Sequence, residues 1–395
     1  MIQFDFGTLR RASLALSLFA WGTMETGRAD VLPRCTEASA LAGQKSGPDE
    51  RAGQTPSARS ASELHRLPPD STTMHTLHVP GRVLSFAATA GSIRLFDEKG
   101  EPQADIAYTS YQLDGTDRTT RPVTFFFNGG PGSPSAWLQL GNAGPWRLPI
   151  NADEVTPSTS LEAKPNAETW LDFTDVESYA QGELLADLLK GEADSEASNR
   201  VADKIAALAG IDQGLTRGRA GRIDIDEFRR ELDRHSGKVT GGYDASVRGL
   251  DPYPHSAAHR FGDPSGNALA PPMTSAAVDV LARKLKWRPD GSYKLFNGAV
   301  GKAWDLGNKR PESLSELRQA LAADAKMEVL LGHGPFDLVT PYFATKMTLA
   351  QLPALALAPR VTLLVLPGGH MFYSRDASRQ DFRAEVEAMI TSAAN

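Results

Sequence analysis

The sequence has little cysteine and no long run of like charge. Among its 395 residues there is a single cysteine, Cys35, which excludes an internal disulfide and a metal site built from several cysteines. The net charge is −6 at pH 7 with no long basic run, so nucleic acid is not expected as a partner. With 41% hydrophobic and 23% charged residues, the composition is typical of a soluble globular protein with a large core.

An apolar stretch near the N terminus follows Arg10 and Arg11 and reads ASLALSLFAWGTM. It is too short to span a membrane stably, so no stable membrane association is expected. Gly27 and Ala29 then occupy the −3 and −1 positions of a plausible cleavage point. This order predicts a signal peptide over residues 1–29 and export to the periplasm or the medium. The alternative is the apolar start of a cytoplasmic domain.

The rest of the chain divides into a leader and one domain. Residues 30–70 are rich in Ala, Ser, Gly, Pro and charge without an apolar period, which predicts a disordered leader. Residues 71–395 are predicted to form a single α/β domain with a helical insertion at about 176–310. Helical spacing of apolar residues occurs in five further stretches, at 176–209, 222–234, 274–286, 312–325 and 376–392.

Strand patterns occur at both ends of this domain. From about residue 74, alternating apolar residues with Gly or Asp-Gly breaks predict three or four antiparallel strands. Residues 122–130, PVTFFFNGG, form an apolar run typical of a strand buried on both faces. Two later runs, MEVLLGHG and RVTLLVLPGGH, alternate with helices and therefore predict a parallel sheet. Between them, Thr340 is expected to be the N-cap of a helix that begins at Pro341.

Two residues with catalytic side chains follow the last two predicted strands. Asp337 comes after the first strand and His370 after the second. Because the C-terminal ends of parallel strands meet at one edge of a sheet, the two side chains can pair as orienter and base. The order Asp then His matches α/β-hydrolases, in which a serine precedes both. The alternative is an Asp that caps a turn and an unrelated His in a loop.

The glycine-rich turn NGGPG at 128–132 ends the apolar run. Such a turn exposes main-chain N–H groups, which bind anions or a developing oxyanion. The stretch FFFNGGPGSPSAWLQLGNAGPW resembles the Asn-Gly-Gly-Pro-Gly motif of serine carboxypeptidases, with Ser133 where many relatives have cysteine. HGPFDLVTP and PGGHMFY resemble the Asp and His segments of that family. The β-rich start and YDASVRGLDPYP resemble its bacterial, periplasm-type branch.

The resemblance extends over about residues 71–392 with one gap. It implies an α/β-hydrolase fold and hydrolysis of C-terminal peptide bonds through an acyl-enzyme. The expected substrate is the C terminus of a peptide or protein, and no metal or organic cofactor is expected. The alternative is a catalytically dead relative, either a non-functional remnant or an interaction protein. An esterase on the same fold is a weaker alternative.

The resemblance also implies individual roles. Asp337 orients His370, which is the general base and then the acid that protonates the leaving amine. The Gly130 N–H belongs to the oxyanion hole, and the Asn128 amide helps to hold the substrate carboxylate. Met371 lines the leaving-group pocket. The alternatives are a tight turn for Gly130 and core packing for Met371.

No G-x-S-x-G motif for the nucleophile occurs anywhere in the chain. The nearest string is VESYAQG, where Val176 and Ala180 replace the glycines around Ser178. Helical spacing continues through Ser178, so we interpret it as a helix residue and a weak candidate only. Family-like sequence lies on both sides of the junction between Asp175 and Val176. On the order of 100 residues, including the central strands, are therefore predicted to be missing.

Two metal-like patterns are weak. GRIDIDEF at 221–228 offers Glu227 as a calcium ligand, but the preceding positions lack acidic side chains. His255 and His259 have an i,i+4 spacing that can bind zinc on a helix, yet prolines bracket them and no partnering Glu is present. No metal site is expected.

Overall fold

The computed structural model describes residues 67–115, 121–148, 173–255, 262–304, 312–352 and 360–394. The predicted signal peptide 1–29 and nearly all of the predicted leader 30–70 lie outside these ranges, as does His259. Within them, no helix combines the length and the apolar character needed to cross a membrane.

The N-terminal region forms an antiparallel sheet of three strands in sequence order. The strands are β1 (Ser71–Val79), β2 (Arg82–Phe96) and β3 (Pro102–Leu113). Gly81 takes a positive φ of 79° in the turn between β1 and β2, a conformation that favours glycine. The prediction of antiparallel strands here is confirmed, with three as the number in the described chain.

Four further short strands form two small sheets. β4 (Lys238–Thr240) and β5 (Arg248–Leu250) pair antiparallel, whereas β6 (Val329–His333) and β7 (Val361–Val365) pair parallel. The parallel arrangement of the last two strands agrees with the sequence. Among the described residues, however, this parallel sheet contains two strands only.

Helices occupy most of the remaining described chain. They are α1 (Ala136–Leu138), α2 (Phe173–Gln181), α3 (Glu183–Leu189), α4 (Ser195–Ala209), α5 (Gln213–Gly218), α6 (Ile225–Glu231), α7 (Pro264–Asp279), α8 (Gly298–Ala303), α9 (Leu314–Ala323), α10 (Tyr342–Leu349) and α11 (Asp376–Ala394). Aspartate N-caps begin several of them. Asp263 starts α7 ten residues before the pattern predicted, because its carboxylate accepts from the Ser265 and Gly266 N–H groups.

The apolar run at 122–130 does not form the predicted buried strand. It belongs to none of the sheets in the described chain. Val123 is 75% exposed, Phe125 71% and Phe127 43%, and the two phenyl rings stack on each other with centroids 6.3 Å apart. A strand is buried on both faces only where neighbouring strands and covering helices surround it. Among the described residues no strand pairs with this run. The absence of central strands stays a prediction.

The hydrophobic core lies between the N-terminal sheet, α1, α7 and the segment after β7. β2 contributes Phe86, Ala88 and Ala90 from alternate positions, which is the pattern of a strand with one buried face. Trp137 of α1 and Phe372 after β7 pack into the same cluster. The observed architecture is thus a mixture of helices and small sheets of two or three strands. Its core packs α1, which follows the glycine-rich turn, against the segment that carries His370.

Candidate active site

The loops after β6 and β7 bring Asp337 and His370 into contact. β6 ends at His333 and β7 at Val365, and the two strands run parallel in register. Both loops therefore leave the sheet at the same edge. The Nδ1 atom of His370 lies 2.8 Å from Oδ2 of Asp337.

The Asp337 carboxylate is buried, with 3% of the residue exposed, and is fully hydrogen-bonded. Oδ1 accepts from the N–H groups of Val339 at 2.8 Å and Thr340 at 2.9 Å. Oδ2 accepts from the Thr340 hydroxyl at 2.5 Å and faces His370. Burial raises the pKa of Asp337, but hydrogen bonds and charge from His370, together with hydrogen bonds from Thr340, outweigh it and hold the pKa below its ordinary value. The carboxylate is therefore ionised at neutral pH.

An ionised carboxylate fixes the tautomer of His370. Because it can only accept, the Nδ1 atom of His370 must donate, which leaves the lone pair on Nε2. The His370 side chain is 19% exposed, and no described residue forms a hydrogen bond with Nε2. The ring thus has one nitrogen anchored and the other open, as a general base requires.

Thr340 does not have its predicted role as a helix cap. α10 begins at Tyr342, and Pro341 occupies the cap position. The Thr340 hydroxyl donates to the ionised Asp337, a charged acceptor that makes a stronger hydrogen bond than a neutral one. The oxygen of this hydroxyl also lies 3.1 Å from Nδ1 of His370, so Thr340, Asp337 and His370 are all in mutual contact.

Residues 241–247, here called the clamp segment, contact both loops and were not assigned a role from the sequence. The Tyr243 carbonyl accepts from the His370 N–H at 2.5 Å, and the Gly242 carbonyl accepts from the Leu338 N–H at 3.0 Å. The edge of the Tyr243 ring meets the His370 imidazole, with centroids 5.4 Å apart. The only sequence signal for this segment was its resemblance to the bacterial branch.

The glycine-rich turn contacts the segment that follows His370. The Asn128 N–H donates to the Ser135 hydroxyl at 3.2 Å, and its side-chain oxygen lies 3.5 Å from the Tyr373 hydroxyl, at the limit of a hydrogen bond. Tyr373 belongs to the short turn that follows His370. Gly130 lies within the turn, and no hydrogen bond among the described residues joins Gly130 or Asn128 to His370 directly.

Met371 is 6% exposed and belongs to the hydrophobic core. With Trp137, Met273 and Tyr373 it lines a cavity of about 10 Å³, measured as the space open to the centre of a water-sized sphere. Such a space holds one water molecule at most. This is the packing position that the sequence left open as the alternative, and the role in a leaving-group pocket stays a prediction.

Ser178 lies exposed within α2, as its helical spacing predicted. Its carbonyl accepts from Gly182, and no hydrogen bond to His370 occurs in the described ranges. The neighbouring Glu177 accepts from the Tyr342 hydroxyl at 3.0 Å and the Lys346 ammonium at 2.5 Å, which docks α2 onto α10. Ser178 is therefore not placed as a nucleophile for the His370 base.

The acidic groups of 221–228 have structural partners. Asp224 accepts from the Glu227 N–H as the cap of α6, and Glu227 pairs with Arg219 at 2.9 Å. No cluster of His, Cys, Asp or Glu suited to a metal ion occurs among the residues described.

Comparisons with protein-family models, with curated proteins and with solved structures gave no match. Membership of the serine carboxypeptidases accordingly stays a prediction that rests on the motifs.

Proposed function

We propose that the chain is a serine-carboxypeptidase-type hydrolase of α/β-hydrolase architecture that lacks part of the central sheet. The observation that supports this most is the 2.8 Å contact between His370 and the buried Asp337 at the ends of two parallel strands. The proposed reaction is hydrolysis of the C-terminal peptide bond of a peptide or protein, without a metal or organic cofactor. Export is part of the proposal on the N-terminal pattern alone.

In this proposal Asp337 and His370 together supply the general base of the active site. Nε2 of His370 takes the proton of a serine hydroxyl, and the ionised Asp337 stabilises the imidazolium that forms. The same proton then passes to the leaving amine, and the acyl-enzyme that remains is hydrolysed by water activated in the same way. The Gly130 N–H stabilises the oxyanion, and the Asn128 amide holds the substrate carboxylate.

A catalytically inactive relative is the second candidate. The exposed position of Ser178 on α2 favours it, because a nucleophile in this fold sits on a sharp turn between strand and helix. The exposed phenylalanines of the run at 122–130 favour it as well, since a complete central sheet would bury them. An esterase that uses the same base is a weaker candidate.

Peptide hydrolysis separates these functions. The purified chain is incubated with one peptide as the free acid and as the C-terminal amide, and with an activated ester. A carboxypeptidase releases the last residue from the free acid only, and His370→Ala abolishes the release. His235→Ala is the matched control, because His235 is exposed and remote in sequence from both loops. Turnover of the ester alone indicates an esterase, and no turnover by folded protein indicates the inactive relative.

A further inference from the structure

The clamp segment forms hydrogen bonds to both loops that carry the proposed base pair. Two of these bonds reach the loop after β6 and two reach the loop after β7. They are Leu338 N–H to Gly242 O (3.0 Å), Ala245 N–H to Phe336 O (2.9 Å), His370 N–H to Tyr243 O (2.5 Å) and Gly369 N–H to Asp244 Oδ2 (3.1 Å). Among these four, Asp244 alone contributes a side chain, and it holds the residue immediately before His370.

The Asp244 carboxylate is fixed on all sides. Asp244 is 8% exposed, and its Oδ2 also accepts from Arg375 at 3.1 Å. Its Oδ1 accepts from the N–H of Ser246 at 2.9 Å and from the hydroxyl of Ser246 at 2.5 Å. The same hydroxyl accepts from Arg375 at 2.7 Å, which closes a ring of three side chains. A buried carboxylate with this many donors holds one position.

The backbone approaches Asp244 closely because glycine precedes His370. A Cβ atom at Gly369 would lie 2.1 Å from the Tyr243 carbonyl oxygen and 2.5 Å from the Asp244 Cα. Only a residue without a side chain fits this approach. The glycines beside His370 therefore allow the clamp segment to reach the backbone of the base.

The clamp segment is itself anchored to α7. Asp263, the N-cap of α7, accepts from the N–H groups of Gly242 at 2.7 Å and Tyr243 at 3.2 Å. Arg229 lies 3.4 Å from the same carboxylate oxygen and donates to the Thr240 carbonyl at 3.0 Å. A rigid support of this kind is what a functional side chain needs to keep its orientation.

We propose that Asp244 is a positioning residue that holds the backbone at Gly369 and thereby keeps the His370 imidazole against Asp337. The inference rests on the proposed function, because it takes His370 as the base. Its effect is on the hydrogen bond between His370 and Asp337, which exists whether or not a nucleophile is present. It can therefore be tested apart from activity.

The test compares Asp244→Ala with Asp251→Ala by proton NMR of the Nδ1–H of His370. Asp251 is a matched control, because it forms a buried ion pair with Arg230 at 3.0 Å and accepts from the Tyr253 N–H at 2.8 Å, a residue outside the two loops. We expect the deshielded Nδ1–H signal to be lost or broadened in Asp244→Ala and kept in Asp251→Ala. A folded Asp244→Ala protein with an unchanged signal overturns the proposal, as does equal loss in both variants.

Asp244→Asn covers the case in which Asp244→Ala does not fold. It keeps the volume and an acceptor oxygen but replaces a charged acceptor with a neutral one of about half the strength. The amides of Gly369 and His370 should then exchange with solvent about tenfold faster than in the unaltered chain, since tenfold corresponds to the ~1.4 kcal/mol expected from that change. Unchanged exchange at both amides refutes the positioning role. An intact Nδ1–H signal in a chain without peptidase activity would instead contradict the proposed function alone.

Discussion

Replacing Asp337 by Asn or by Ala should separate the stability of the site from its chemistry. Ala removes an acceptor from the N–H groups of Val339 and Thr340, from the Thr340 hydroxyl and from His370. Loss of one partner from a buried pair costs about 3–5 kcal/mol. We therefore expect Asp337→Ala to lower the free energy of unfolding by about that amount.

Asn at position 337 should cost less. Its side-chain oxygen still accepts from the two N–H groups, and its NH₂ group then faces Thr340 and His370. The two bonds from the N–H groups become neutral ones of about half the strength, and the two at the other position reverse direction without being lost, so the expected cost is about 1.5–3 kcal/mol. The NH₂ group also forces Nδ1 of His370 to accept, which moves the ring proton to Nε2. The base is then lost, and any activity should fall about 10⁴-fold.

Urea unfolding followed by circular dichroism measures the free energy of unfolding, provided that the dependence on urea concentration keeps its slope. Nitrogen NMR of the imidazole shows which ring nitrogen of His370 carries the proton. Equal destabilisation by Asn and Ala, or an Nδ1–H that persists in Asp337→Asn, would refute the reasoning.

The pKa of Asp337 lies below its ordinary value, so its stabilising effect is present above pH ~4 and is lost as the pH falls further. Asp337→Asn should flatten that acid limb.

Three further predictions concern exposure, pH and backbone. Phe125→Ala should change the free energy of unfolding by no more than about 0.5 kcal/mol, because Phe125 is 71% exposed. Phe382→Ala in the core should cost about 3–5 kcal/mol. Similar costs for the two variants in urea unfolding would mean that Phe125 is buried. Burial lowers the pKa of His333 from 6.5, so stability should decline as the pH falls below that value, and His333→Asn should reduce the decline; parallel pH curves for the two proteins would contradict this. Gly132→Ala should destabilise the protein more than Gly100→Ala. Both glycines have positive φ, but of the two only Gly132 would place a Cβ against a backbone oxygen, at 2.4 Å. Equal melting temperatures of the two variants would exclude this clash.

The sequence predicted the parts of this molecule that depend on local pattern. Alternation indicated the N-terminal strands, and apolar runs followed by loops indicated β6 and β7. Once those strands were expected to be parallel, Asp337 and His370 could be expected to meet, and their atoms lie 2.8 Å apart. The spacing around Ser178 likewise indicated a helix rather than a turn.

Other features depend on tertiary partners that no local pattern reveals. Thr340 follows the rules for a helix cap, but the helix begins at Tyr342, and the Thr340 hydroxyl donates to the charged Asp337 instead. Asp244 lies 125 residues before Gly369, the amide that it binds, so nothing near His370 in sequence indicates it. The run at 122–130 has the composition of a central strand, but no strand pairs with it in the ranges that the structure describes. The composition of a segment shows that it can form a buried strand, but it forms one only where other segments of the chain pair with it and cover it.

The central claim is that Asp337 and His370 act as one unit on a serine nucleophile. Reaction with a fluorophosphonate probe, followed by intact mass and peptide mapping, tests it most directly. The account predicts one labelled serine in the folded chain, loss of labelling in His370→Ala and unchanged labelling in His235→Ala. Folded protein that does not react, or labelling that is equally fast without His370, would contradict it.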